Sequence, residues 1–200
     1  TVQIWALEPD VKDSVNREHE NKRYLPGIKL SSSITVSNDI VEVASGKEFL
    51  IIAAPSLYLA STLRKITGVP NIADGSTLVI ALTKGFVPSP DGPKLILETI
   101  ENILPGIYKG NTVYVSGPSH AEEVAMSKLT GLIAASENPK NSIRAREMIK
   151  APSLMVYSSF DVVGVQICAA AKNVIAVVYG ALDAVAEHSE VFGDDAASLL

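Results

Sequence analysis

The sequence predicts an α/β protein: a doubly wound, mostly parallel sheet followed by the start of an all-helical domain. Three observations predict this. Short, continuous apolar runs recur through the first 160 residues, among them FLIIAAP at 49–55 and TLVIALTKG at 77–85. Strands that are apolar throughout belong to parallel sheets covered on both faces. Helical patterns separate these runs, as crossover connections require. After Phe160 the strand-like runs cease and a long, Ala-rich helical pattern takes over.

The elements follow in order. A strand is expected at 1–5 (TVQIW), then a polar helix from Pro9 to about residue 20. A strand at 34–36 leads to a helix at 38–44 capped by Asn38, an amide being a preferred N-cap. The apolar run at 49–55 precedes a helix at 57–66, and the run at 77–85 precedes one at 94–103. TVYVSGPS at 112–119 leads to a helix at 121–126 whose first turn carries Glu122 and Glu123, the charge a helix N-terminus favours. A strand at 132–136, a charged helix at 141–150 and a strand at 154–158 close the series. In GVQICAAAKNVIAVVYG, 164–180, apolar residues cover most of the helix circumference, which predicts burial nearly all round.

Composition excludes several classes. Of 200 residues, 47% are hydrophobic, enough for a sizeable core. Net charge is −5 with the charges scattered, so no basic, aromatic-laced surface for nucleic acid is present. The single cysteine, Cys168, makes no disulfide framework and points to a reducing compartment, the cytoplasm. No uninterrupted apolar run has the ~18 residues of a membrane span, and no signal-peptide pattern opens the chain, so a soluble protein is expected. No metal-ligand cluster is read either. The chain opens without Met in a strand and stops inside a helical pattern, so a segment of a longer protein is expected.

In an open α/β sheet, ligands bind outside the carboxyl ends of the strands. Glu8 ends the first strand. In a dinucleotide-binding domain, an acidic residue there accepts from the ribose 2′-hydroxyl and favours NAD over NADP, whereas a nearby arginine would welcome a 2′-phosphate. Glu8 equally fits a negative charge at a helix N-terminus. Lys84, after the 77–85 run, either holds a phosphate or carbonyl oxygen or is a solvated loop lysine. Lys172 and Asn173 interrupt the apolar helix. A buried ammonium is costly unless paired or deprotonated, so Lys172 is either a catalytic acid or base or a lysine snorkelling to solvent. His120 has no paired partner and is given no role.

Five fragments, in this order, resemble the NAD-dependent glycerol-3-phosphate dehydrogenases. They are N-x-x-Y-L-P (Asn21, Tyr24, Leu25, Pro26), P-S (Pro55, Ser56), T-K-G (Thr83, Lys84, Gly85), S-G-P-S-x-A-x-E (Ser116–Ser119, Ala121, Glu123) and G-V-Q-x-x-x-A-x-K-N-V-I-A from Gly164. The resemblance implies hydride transfer between NADH and dihydroxyacetone phosphate, giving sn-glycerol 3-phosphate. It makes Lys172 the general acid, with Lys84 and Asn173 on the substrate. It places Glu8, Pro55, Ser56, Tyr58 and Glu123 around the cofactor. A Rossmann-type domain lacking its first strand and glycine loop would occupy residues 1–160, and the beginning of a helical substrate domain 161–200. A homodimer with a small phosphate substrate is the expected assembly, and the segment alone is expected to bind NAD poorly and not to turn over. Two rivals remain open at this point: a dehydrogenase of a hydroxy or sugar acid built on the same two-domain plan, and a catalytically idle nucleotide-binding module.

Overall fold

In a computed structural model, which describes residues 1–188, strands and helices alternate from the first residues onward. The order is β1 (Val2–Trp5), α1 (Pro9–Glu18), β2 (Ile34–Ser37), α2 (Ile40–Ala44), β3 (Phe49–Ile52), α3 (Ser56–Leu63), α4 (Pro70–Ala73) and β4 (Leu78–Ala81). It continues with α5 (Ile96–Ile103), β5 (Val113–Ser116), α6 (Ala121–Ala125), β6 (Thr130–Ala135), α7 (Pro139–Ile149), β7 (Leu154–Ser159) and α8 (Val162–His188). Residues 189–200 of the expected helical domain lie outside the described residues.

The strands form two sheets. β1 and β2 pair in parallel, and the second sheet runs β3-β4-β5-β6-β7. Within it β3, β4 and β5 are parallel, β6 runs antiparallel to β5, and β7 is parallel to β6. β1 and β3 each keep one edge unpaired, and Lys47 Nζ donates to Gln3 Oε1 across the interruption at 2.9 Å. In the dinucleotide-binding strand order 3-2-1-4-5-6, the first strand falls between the strands equivalent to β1 and β3. The interruption lies where that order has its first strand.

The core follows the two-residue period of strand side chains. Leu78 and Ile80 of β4 join Val113, Val115, Ala134 and Ala145 on one face of the larger sheet. Val79 and Ala81 join Leu59, Leu63, Ile96, Ile100 and Tyr114 on the other. Both faces are covered, which is why these strands are apolar throughout. A fully buried side chain such as Ile80 contributes roughly 1.5–3 kcal/mol through removal from water.

Three details differ from expectation. Asp39, not Asn38, caps α2: its Oδ1 accepts from the amides of Val41 and Glu42 at 2.8 and 3.2 Å. Asn38 instead donates to the Ala6 carbonyl at 2.7 Å and ties the end of β1 to the end of β2. The short helix α4, opened by Pro70, is an element that the apolar pattern does not announce. Finally, the segment between β5 and β6 holds only the five-residue α6, which does not travel back along the sheet; β6 therefore starts at the edge where β5 ends and runs antiparallel.

Candidate active site

At the carboxyl end of β4 the chain is fixed from two sides. Buried Thr83 donates through Oγ1 to the Ala54 carbonyl just past β3, at 2.8 Å. From β5, the Tyr114 hydroxyl donates to the Thr83 carbonyl at 2.9 Å. Burial pushes the Tyr114 phenol up to about 12, so it stays a donor at any physiological pH. Gly85 follows with φ +95°, a conformation only glycine adopts at no cost, and a side chain there would meet Ser56 Oγ at 3.8 Å. The T-K-G turn thus aims Lys84 from a rigid base, beside the start of α3.

The partner of Lys84 comes from α8. Val162, Val165 and Ala169 pack on the core, with Gln166 between them; the spacing is that of one helix face. Asp161 accepts from the Gly164 amide at 2.8 Å and starts the helix. Gln166, 2% exposed, accepts from the Leu97 amide at 2.9 Å, and Leu97 lies in the first turn of α5, where amides have no partner within the helix. Lys172 follows on the same face. The pKa of Lys84 is lowered, first by desolvation and then by the charge of Lys172, although its side chain keeps a solvent-exposed portion. The charge of Lys172, far along the sequence, is thus felt at Lys84.

The expected burial of α8 is corrected. Past the docked turns, Val174, Ile175, Val177 and Val178 are exposed, because the described residues supply no second layer over that part of the helix. Lys172 is half-buried rather than enclosed, and Asn173 is exposed. Residues Val162–Val185 are also long and apolar enough to cross a membrane, a property shared with core helices of soluble proteins, although Lys172 and Asp183 interrupt the run.

Glu8 stands at the end of β1 in the N-cap position of α1, but its side chain does not cap the helix. It turns instead to Tyr24, whose hydroxyl donates to Glu8 Oε1 at 2.7 Å. That bond is the first cause of the lowered Glu8 pKa, with the Arg23 charge a smaller contribution in the same direction. Arg23 pairs with Asp10 at 3.3 Å and lies 5.5 Å from the centre of the Tyr24 ring. The N-x-x-Y-L-P turn is thereby tied to the end of β1.

Pro55 is the N-cap of α3, Ser56 its first residue, and Tyr58 stands exposed in its first turn. Glu123, in α6, pairs with Lys128 at 3.3 Å. Gly117 of the S-G-P-S run is a packing residue: a Cβ there would sit 2.3 Å from the Gly131 carbonyl oxygen of β6. A concavity of about 670 Å³ along β7, lined in part by Arg146, Lys150 and Tyr157, contains none of the predicted site residues. Among the described residues no His, Cys, Asp or Glu cluster could hold a metal.

The family model of the NAD-dependent glycerol-3-phosphate dehydrogenase N-terminus matches residues 1–142. The chain belongs to this family. It is 48% identical to a glycerol-3-phosphate dehydrogenase [NAD(P)+] of Treponema denticola, over all of this chain and 57% of that protein. It is 35% identical to the enzyme of that name from Bacillus velezensis, over all of this chain and 55% of that protein. The chain thus spans a little over half the length of these relatives. The crystal structure of glycerol-3-phosphate dehydrogenase from Coxiella burnetii superposes with a TM-score of 0.81 at 26% identity, covering 99% of this chain and 57% of that one. Within the glycerol-3-phosphate dehydrogenase family setting, the two lysines and Glu8 are residues that sequence singles out. Tyr114 and the bonds from Tyr24 and to Gln166 are not: Gln166 stands in the G-V-Q fragment, but nothing there says that it reaches Leu97.

Proposed function

We propose that the full-length protein interconverts dihydroxyacetone phosphate and sn-glycerol 3-phosphate with NAD(H), with Lys172 as the general acid and base. The observation that carries this is the family match over residues 1–142, with Lys84 at the carboxyl end of β4 and its pKa lowered by desolvation and then by the charge of Lys172 on α8. Two cations whose charges act on one another suit an anionic, oxygen-rich substrate: one holds an oxygen while the other exchanges a proton with it.

The residues present fit the adenosine side of a dinucleotide. Glu8 is an ionised carboxylate at a strand end; Tyr24 takes Oε1, and Oε2 is the remaining acceptor for a ribose hydroxyl. A bound nicotinamide supplies the hydride that reduces the carbonyl carbon. Lys172 Nζ gives its proton to the carbonyl oxygen as that carbon is reduced, and recovers one from water; in the oxidation it takes the hydroxyl proton. Lys84, held by Thr83, keeps its charge on a substrate oxygen, and Asn173 orients the substrate. Pro55, Ser56, Tyr58 and Glu123 belong to the cofactor side in this reading.

The same proposal includes the division into a dinucleotide-binding domain to residue 160 and a helical substrate domain from 161, since β7 ends at Ser159 and α8 begins at Val162. It also includes the homodimer and the cytoplasmic location, which rest on the family resemblance. NADH consumption with dihydroxyacetone phosphate by the full-length protein, beside Lys172→Met, is the test. Removal of a general acid should cost about 10²–10⁴ in kcat. A Lys172→Met protein retaining a tenth or more of wild-type kcat would remove Lys172 from the chemistry, and no turnover with this substrate would remove the assignment.

A further inference from the structure

We propose that Tyr24 is a positioning residue for cofactor choice: its hydroxyl holds the Glu8 carboxylate where it accepts from a ribose 2′-hydroxyl and repels a 2′-phosphate. This rests on the reading of Glu8 as the ribose ligand. A glutamate at a strand end has several rotatable bonds, and an unfixed carboxylate would discriminate weakly. Here the carboxylate is fixed by a 2.7 Å bond to Tyr24.

Tyr24 is itself fixed. Asn21 Oδ1 accepts from the Tyr24 amide at 3.0 Å, and the Asn21 carbonyl accepts from the Leu25 amide at 2.8 Å, so the turn presents the ring in one place. The exposed face of a tyrosine at 57% accessibility has no packing need for a hydroxyl, which makes the bond to Glu8 the reason for tyrosine rather than phenylalanine. Arg23, the neighbouring cation that a 2′-phosphate would seek, is engaged by Asp10 at 3.3 Å and lies against the same ring. Tyr24 therefore touches both residues that decide between the two cofactors: it orders the carboxylate and flanks the guanidinium.

The test is direct binding of NADH and NADPH to the full-length protein, by calorimetry without substrate, for wild type, Tyr24→Phe, Glu8→Gln and the double variant. Tyr24→Phe should weaken NADH roughly threefold to tenfold, the effect of losing one hydrogen bond to a charged group at a solvated site. NADPH affinity should hold or improve, so the preference ratio falls. The double variant should match Glu8→Gln alone, because a residue acting through Glu8 has nothing left to act on. An unchanged ratio in Tyr24→Phe with a reduced one in Glu8→Gln overturns the role of Tyr24 and leaves Glu8 in place. An unchanged ratio in both overturns the reading of Glu8 and this proposal with it. Equal loss of both cofactors in Tyr24→Phe, or a double variant weaker than Glu8→Gln, shows a merely structural tyrosine and also overturns it.

Discussion

Gln166→Leu is the perturbation that asks most of this structure. Leucine nearly matches glutamine in volume, so the substitution opens little cavity and isolates the hydrogen bonds. Gln166 is 2% exposed and accepts from the Leu97 amide at 2.9 Å. α5 has no side-chain cap of its own, so this bond, made across 69 residues of sequence, serves a first-turn amide of that helix. Its loss leaves the amide buried and unpaired, a cost of about 1–3 kcal/mol. The added apolar surface of leucine offsets only a few tenths, since the glutamine stem is already buried. A net loss of about 2 kcal/mol corresponds to about 4–8 °C in Tm for a chain of this size. Urea unfolding of wild type and variant measures the loss, and hydrogen exchange locates it: Leu97 should lose protection while strand β4 keeps its own. In the full-length protein kcat should fall while the KM for NADH holds, because α8 carries Lys172, the proposed acid, and the strand ends carry the residues proposed for the cofactor. A variant within ~0.5 kcal/mol of wild type, with Leu97 protection intact, would refute the anchoring role.

Other substitutions separate packing from chemistry. Gly117→Ala places a methyl 2.3 Å from the Gly131 carbonyl oxygen, so β5 and β6 must part; a loss of about 3 kcal/mol or more in urea unfolding is expected. Lys84 has its pKa lowered from 10.5 by desolvation and by Lys172, so the folded state binds this proton less tightly than the unfolded chain. The resulting penalty is full below the folded pKa, fades as pH rises through it and is gone above the unfolded value. Lys84→Met should therefore be more stable than wild type at pH 7, and the gain should vanish above pH 10.5, as thermal melts across pH would show. Lys172→Met should raise the Lys84 pKa only part of the way, since desolvation remains; an NMR titration of the Lys84 side chain reads this directly.

The alternation of strands and helices is legible because burial on both faces leaves its mark residue by residue: Leu78 through Ala81 are all buried, and no polar side chain interrupts them. Direction is less legible. Nothing in TGLIAA distinguishes an antiparallel β6 from a parallel one; that depends on how far α6 carries the chain. Capping fails locally for the same kind of reason, since Asn38 and Asp39 are both competent caps and Asn38 is claimed by the Ala6 carbonyl across the sheet. In the site, Lys172 is conspicuous because charge is costly in an apolar helix, and Glu8 because it ends a strand. The groups that hold the site act over distance instead. Tyr24 reaches Glu8 across 16 residues and Tyr114 reaches Thr83 across 31, and no local pattern encodes either pairing.

The even spread of apolar residues along α8 conceals a division of labour. Its first turns are packed on the sheet domain by Val162, Val165 and Ala169, while Val174, Ile175, Val177 and Val178 are exposed, and Lys172 sits where one regime gives way to the other. Lys84 is fixed to the sheet through Thr83, and Lys172 is fixed to the helix, so the separation of the two ammonium groups is set by the seat of α8 on the core. A helix rises 1.5 Å per residue, so Lys172 lies about 9 Å beyond Gln166, and a tilt of ten degrees about that anchor moves it by about 1.5 Å. A misplacement of about 1 Å can cost a hundredfold in rate. Substitutions in the docked stripe, none of them touching substrate, should therefore lower kcat in proportion to how far they loosen α8.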